Sequence, residues 1–256
     1  MKRRKSLEAV WGVFPVLVFL AIWEIVGRLH LFPGQSFFPT FSAVLREFYH
    51  LTANGVLGKN FLSSLTRVLI GLSSGSIAGI FMGVLMGWRH IIDKAFNPII
   101  SLFYPIPALG WLPLLMLWIG INELLPITII FICSFFPVVY NTATGIRSVD
   151  RRYIQAAETL GASNMRILFK VVIPLALPNI FTGLRLEAGM SWRVLIAAEM
   201  VAIPTGIGAL LMQAESLVRV DIIIVCLIVL SGMCFIFEKV FALAERRLAG
   251  RWSAHA

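Results

Sequence analysis

Apolar positions in this chain form long, nearly unbroken runs separated by short polar segments, not the two-residue alternation of a half-buried strand. Six runs, at about 10–27, 63–87, 97–119, 124–145, 181–203 and 221–243, are long enough to cross about 30 Å of hydrocarbon as helices. The pattern predicts an all-α membrane protein with six transmembrane helices. It forms a single domain over 1–256 with its core at 60–245. The first run follows Met1-Lys2-Arg3-Arg4-Lys5 and imitates a signal peptide. It continues to about Val26, carries Glu24 and lacks an Ala-x-Ala cleavage site, so it reads as a retained span. Beyond it, Pro33-Gly34 and Pro39 punctuate an outer segment. Residues 40–51 have helical spacing there, with Val44, Leu45 and Phe48 on one side, predicting either an interfacial helix or a packed loop.

Composition agrees with the pattern. Hydrophobic residues make up 59% of the chain and mean hydropathy is +0.88, whereas soluble domains average about 45–50% apolar. The net charge of +9 gathers in short segments. Lys2 to Lys5, then Arg89 and Lys94, then Arg147, Arg151, Arg152, Arg166 and Lys170, and finally Arg246, Arg247 and Arg251 occupy alternate loops. The other loops carry only Arg28, Arg46, Lys59 and Arg219. The positive-inside rule then places both termini in the cytoplasm. No basic helix or aromatic platform is free for nucleic acid. Cys133, Cys226 and Cys234 lie inside apolar runs without metal-ligand spacing, so they read as core residues.

Several features stand out from the apolar background. Gly71, Gly75, Gly79, Gly83 and Gly87 recur every four residues and form one helix stripe that lets a neighbouring backbone approach closely. The run Tyr104-Pro105-Ile106-Pro107 cannot continue as regular helix. Broken backbone at membrane depth belongs beside protein or a wet cavity, so Pro105 and Pro107 are candidates for a translocation path. Span five carries Arg185, Glu187, Trp192, Arg193 and Glu199. Ionisable groups inside a membrane pair with one another or face water. Two readings stay open: Arg185, Trp192, Arg193 and Glu199 line the path of a polar, anionic solute, or the charged groups of the span form an internal salt bridge that locks helices, with Arg185 and Glu187 merely near the cytoplasmic surface. A phosphate-binding loop of the G-x-x-x-x-G-K-[ST] type is missing, and no nucleophile–base set is suggested, so the chain does not read as an enzyme.

Between spans four and five lies a polar loop, 147–174. Asp150 is placed to cap a short helix, Gly161 to turn the chain, and Pro174 to mark the return toward the membrane. Gln155-Ala156-Ala157-Glu158-Thr159-Leu160-Gly161, nine residues, then Val171-Val172-Ile173-Pro174 resembles the cytoplasmic Glu-Ala-Ala loop of ATP-binding-cassette (ABC) importer permeases. Ala156, Ala157, Gly161 and Pro174 fall on the family pattern, while Gln155, Val171 and Ile173 depart from it. Residues 38–44, 114–123, 136–142, 145–150 and 197–199 are similar to the nitrate/sulfonate/taurine branch, and the resemblance covers about 35–250.

That resemblance implies the type I ABC importer fold, in a bacterial or archaeal plasma membrane. A second permease subunit completes a homodimer among the membrane lipids. Two cytoplasmic ATPases dock on Gln155, Ala156, Ala157, Glu158, Gly161 and Pro174, with Ala157 against the ATPase surface. An extracytoplasmic solute-binding protein delivers a sulfonate, taurine, nitrate or a similar small anion. The chain itself holds no cofactor; ATP and magnesium sit in the partner ATPase. A membrane scaffold or sensor that keeps the permease fold without transporting is the competing expectation.

Overall fold

The computed structural model describes the backbone of residues 2–29 and 38–248, and the side chains of 14–29 and 38–247. Expectations for the side chains of Lys2 to Lys5, for Pro33-Gly34 and for Arg251 lie outside these residues. The described elements are helical, with no strand among them.

Helix α1, Lys2–Leu29, covers the expected first span, and α2, Phe41–Ala53, follows it. Glu24 of α1 accepts hydrogen bonds from the Ser42 N–H at 3.0 Å and the Ser42 hydroxyl at 2.9 Å. Thr40 Oγ1 accepts from the Ala43 N–H at 3.2 Å. The carboxylate in the first apolar run therefore helps to cap α2, satisfying donors that a helix start leaves open. Val44 and Leu51 of α2 are buried, whereas Leu45 and Phe48 are exposed. The expected Val44–Leu45–Phe48 face is thus split. The helix packs by one edge against the protein and shows its other apolar residues outward.

Helices α3, Val56–Trp88, and α6, Leu124–Arg147, form the centre of the molecule. The glycine stripe of α3 lies along α6. A Cβ added at Gly71 would stand 2.7 Å from Ile130 Cβ, at Gly75 2.7 Å from the Phe131 carbonyl, at Gly79 3.0 Å from Val138 Cβ, at Gly83 2.5 Å from Thr142 Cβ and at Gly87 2.7 Å from Ile146 Cβ. In lipid such close approach supplies the dispersion contact that the hydrophobic effect provides in water. Gly79→Leu is expected to lose about 1–3 kcal/mol by overpacking. It should lower the thermal midpoint of the purified protein, with Gly58→Leu as control because no atom lies within 4 Å of a Cβ there. Equal midpoints for the two variants would refute the packing role.

The expected third span is not one helix. Helix α4, His90–Phe103, ends before Tyr104, a 3₁₀ turn covers Ala108–Trp111, and α5 runs over Leu112–Ile119. The two halves meet at 87°. Pro105 and Pro107 cause the break, since each removes a backbone donor and its ring clashes one turn back. Pro113 falls at the start of α5, where a missing N–H is harmless. Four described helical segments, 56–88, 124–147, 164–202 and 220–247, are long and apolar enough to span, with a fifth if the bent pair counts as one.

The polar loop contains α7, Arg151–Thr159, and α8, Asn164–Ile167, followed by a π-helical turn over Leu168–Val172. The chain then continues into α9, Ile173–Ala202, and ends through α10, Ile207–Ser216, and α11, Val220–Leu248. Pro174 sits in the first turn of α9 and does not break the path. The wider π turn ahead of it removes the need for its missing N–H.

Candidate functional site

Helix α9 carries the charges expected of span five, and the fold separates them. Glu199 is 0% exposed. It accepts from Arg67 Nη1 at 2.6 Å, from the Ser64 hydroxyl at 2.9 and 2.8 Å, and from the Gly208 N–H at 2.9 Å. Arg67, 2% exposed in α3, also donates to both Glu123 carboxylate oxygens, to the Thr205 carbonyl and to Thr205 Oγ1, each at 2.7 Å. Gly206 has φ of +114°, and any side chain there would collide with the Glu199 carboxylate. These groups form one knot joining α3, α9, the 203–206 turn and the entry to α6. Glu123, just outside α6, is held below its ordinary pKa by the hydrogen bonds from Arg67.

Trp192 is 1% exposed and packs edge-on against Phe237, with ring centroids 5.3 Å apart. Trp192 and Glu199 therefore lie inside the protomer. Glu199 is ion-paired across two helices, as a helix-locking salt bridge requires. Its partner Arg67 went unnoticed in the sequence, although an arginine within the apolar run 63–87 is itself a signal that a buried acid must exist elsewhere. Arg185 is exposed, 3.5 Å from Glu245 and 4.0 Å from Glu238 of α11. Arg193 is exposed too, and its Nη1 lies 3.5 Å from Met190 Sδ.

The helix break creates a cavity of about 300 Å³ between residues 103–109, α6 and α9. Pro105 and Pro107 line it, together with Cys133, Glu187 and Met190. Aromatic pairs stiffen the break: Tyr104 stacks on Tyr140 at 5.1 Å and Phe103 on Phe136 at 5.7 Å. A second cavity of about 220 Å³ lies on the outer face of α9, lined by Arg185, Arg193, Glu238 and again Met190.

The polar loop folds into a compact knob. The Asp150 carboxylate accepts from the Arg152 N–H at 2.9 Å and starts α7. At its end, the Gly161 N–H reaches the Glu158 carbonyl at 2.9 Å and the Ala162 N–H reaches the Ala157 carbonyl at 3.0 Å. Gly161 has φ of +76°. This paired geometry closes a helix with a left-handed glycine. Ala157 and Ala162 pack inward on the cluster of Ile167, Leu168 and Val172. Ala157 is partly buried, with one side of its methyl group against this cluster. Gln155, Ala156, Glu158 and Gly161 are exposed and Pro174 is half-buried. Leu160 is 87% exposed, and Met165 and Phe169 are exposed as well.

Comparison with known proteins places these features in a family. Residues 75–250 match the model of the binding-protein-dependent transport system inner membrane component. A taurine transport system permease protein of Escherichia coli is 32% identical over 95% of this chain and 90% of its own length. A nitrate import permease protein of Synechocystis is 32% identical over 94% of this chain and 89% of its own. Among solved structures, an amino acid ABC transporter with histidines overlays with a TM-score of 0.62 at 21% identity, covering 78% of this chain and 97% of that one. The helical architecture is thus the type I importer fold, and by sequence and fold together the chain belongs to the permease subunits of binding-protein-dependent ABC importers.

Proposed function

We propose that two copies of this chain form the membrane path of an importer that moves a small anionic or polar solute inward by alternating access. Relatives named for taurine, nitrate and bicarbonate transport favour an anion of that size. Two ATPase subunits, holding ATP and magnesium, dock on the 147–174 knob. An extracytoplasmic binding protein delivers the solute. Both termini lie in the cytoplasm, at the plasma membrane. The observation that carries this reading is the knob itself, whose backbone is tightly capped while Leu160, Met165 and Phe169 stay exposed. A stiff body with bare apolar side chains suits a lever pushed by another protein.

The path reading now rests on Arg185, Arg193, Pro105 and Pro107. A cationic side chain costs about 2.5–3.5 kcal/mol at the centre of a lipid-facing helix. The exposed arginines of α9 therefore favour a wet path or the second subunit on that face. Uptake tests the reading. The chain, co-reconstituted in proteoliposomes with its cognate ATPase and binding protein, should accumulate solute only with ATP. It should hydrolyse ATP faster when the loaded binding protein is added. ATP hydrolysis without accumulation of any anion offered by the binding protein would favour the scaffold or sensor instead.

A further inference from the structure

A groove of about 600 Å³ runs between α3 and the segment that leads from the polar loop into α9. One wall is the face of α3 that carries Ile77, Phe81, Val84 and Trp88, spaced four, three and four residues apart. The other wall is the α8 end and the π turn, with Leu168 and Phe169. Ile77 is 70% and Phe81 66% exposed, so much of this apolar face has no protein against it within the protomer.

Polar character enters at one end. Arg89 and Asn164 line the groove there, next to Trp88, the last residue of α3. The Arg89 side chain is exposed and takes part in no ion pair among the described residues. A tryptophan and an arginine that close a long apolar helix mark the headgroup level of a membrane. From Ile77 to Trp88 a regular helix rises about 16 Å, close to half of the about 30 Å of bilayer hydrocarbon. The groove thus has the depth of one leaflet, apolar along its length and cationic where headgroups lie.

Two occupants of that shape compete. A second copy could lay its α1 there, since Phe14, Leu17 and Ile22 are each more than half exposed. That helix begins with Lys2, Arg3, Arg4 and Lys5. In the orientation proposed for the importer these four cations share the cytoplasmic side with Arg89, and like charges repel. A lipid phosphate brings the opposite charge to the same place and makes charge-assisted hydrogen bonds to a guanidinium.

We propose that the groove is a binding site for one anionic phospholipid of the cytoplasmic leaflet. Its phosphate is taken by Arg89 and Asn164, and an acyl chain lies along the Ile77–Trp88 face of α3. The lipid then bridges α3 and the root of the 147–174 knob, so the seating of the knob depends on it. It covers the groove side of Phe169, whereas Leu160 is not part of the lining and stays bare for a docking protein. This goes beyond the transport reading and takes from it only the leaflet that Arg89 faces.

The test uses the permease purified with its partner ATPase and stripped of lipid in detergent. Phosphatidylglycerol and phosphatidylcholine with identical acyl chains are titrated separately, alongside glycerol 3-phosphate, which has no chains. Native mass spectrometry reads the affinity of the first molecule retained. Phosphatidylglycerol is expected to bind about fivefold more tightly than phosphatidylcholine, the contribution of one basic side chain beside an anionic lipid. Arg89→Gln should remove that preference, and Lys59→Gln, at the other end of α3, should keep it. Phosphatidylglycerol with a photoreactive diazirine in its acyl chain should crosslink within 77–88 and 165–173. Equal binding of the two lipids overturns the proposal, as does an undiminished preference in Arg89→Gln. Glycerol 3-phosphate binding as tightly as phosphatidylglycerol would reveal a free-anion site and overturn it too. Crosslinks confined to other segments would leave the groove to α1 of the second copy. Equal lipid binding and displaced crosslinks need no variant, so a misfolded variant does not block the test. None of these outcomes depends on uptake, so a failure of the importer reading is seen separately.

Discussion

Arg67→Met is expected to destabilise the protomer by about 3–5 kcal/mol, the range for breaking a buried ion pair by removing one partner. The substitution keeps the long apolar stem but leaves Glu199, with 0% exposure, holding only Ser64 and the Gly208 N–H. It also frees the Thr205 carbonyl and the Glu123 side chain. Glu199→Gln should be milder, because Arg67 keeps its paired hydrogen bonds to Glu123 and Thr205. The double change Arg67→Met with Glu199→Met should recover part of the loss, since no buried charge is left uncompensated. Thermal midpoints of the purified protein in one detergent decide the matter. A single Arg67→Met variant as stable as the unaltered protein would show that the knot does not lock α3 to α9.

Leu160→Asp is expected to reduce stimulation of ATP hydrolysis by the loaded binding protein more than tenfold while the permease still inserts and folds. Leu160 is 87% exposed and contributes little to the knob's own packing. The change therefore acts on whatever Leu160 touches, by placing a desolvated charge in an apolar contact. Gly161→Val should produce the same loss by a different route. A β-branched residue is strongly disfavoured at φ of +76°, so the capped end of α7 would rearrange. Ala157→Trp belongs with Gly161→Val, because Ala157 is partly buried against the knob's apolar cluster and a large ring would disturb it. Normal stimulation in Leu160→Asp would move the docking surface away from this helix end.

The knob also marks how far sequence patterns reach. The turn at Gly161 and the cap at Asp150 were legible because both depend on local backbone chemistry within a few residues. The direction of Ala157 was not, since two neighbouring alanines differ by about 100° around a helix. Which of them is the more buried is set by Ile167, Leu168 and Val172 beyond the turn. The glycine stripe was legible as a packing face for a similar reason, while its partner α6 became known only from the packed helices.

Long apolar runs were sufficient to place most helices, because a bilayer forces each backbone to satisfy its hydrogen bonds within its own segment. The Glu-Ala-Ala-like loop was sufficient for the family. Neither could decide what the prolines do: the 87° break at 104–107, and the cavity it opens, depend on how the flanking halves pack. Nor could local pattern pair the charges. Arg67 and Glu199 stand 132 positions apart and meet only because α3 and α9 converge beside the Gly206 turn. The sequence alone determined that the buried charges needed partners or water, since lipid offers neither. Tertiary packing alone decided that Glu199 received an arginine, that Glu187 received only a thiol and an open cavity, and that Arg193 was left facing outward.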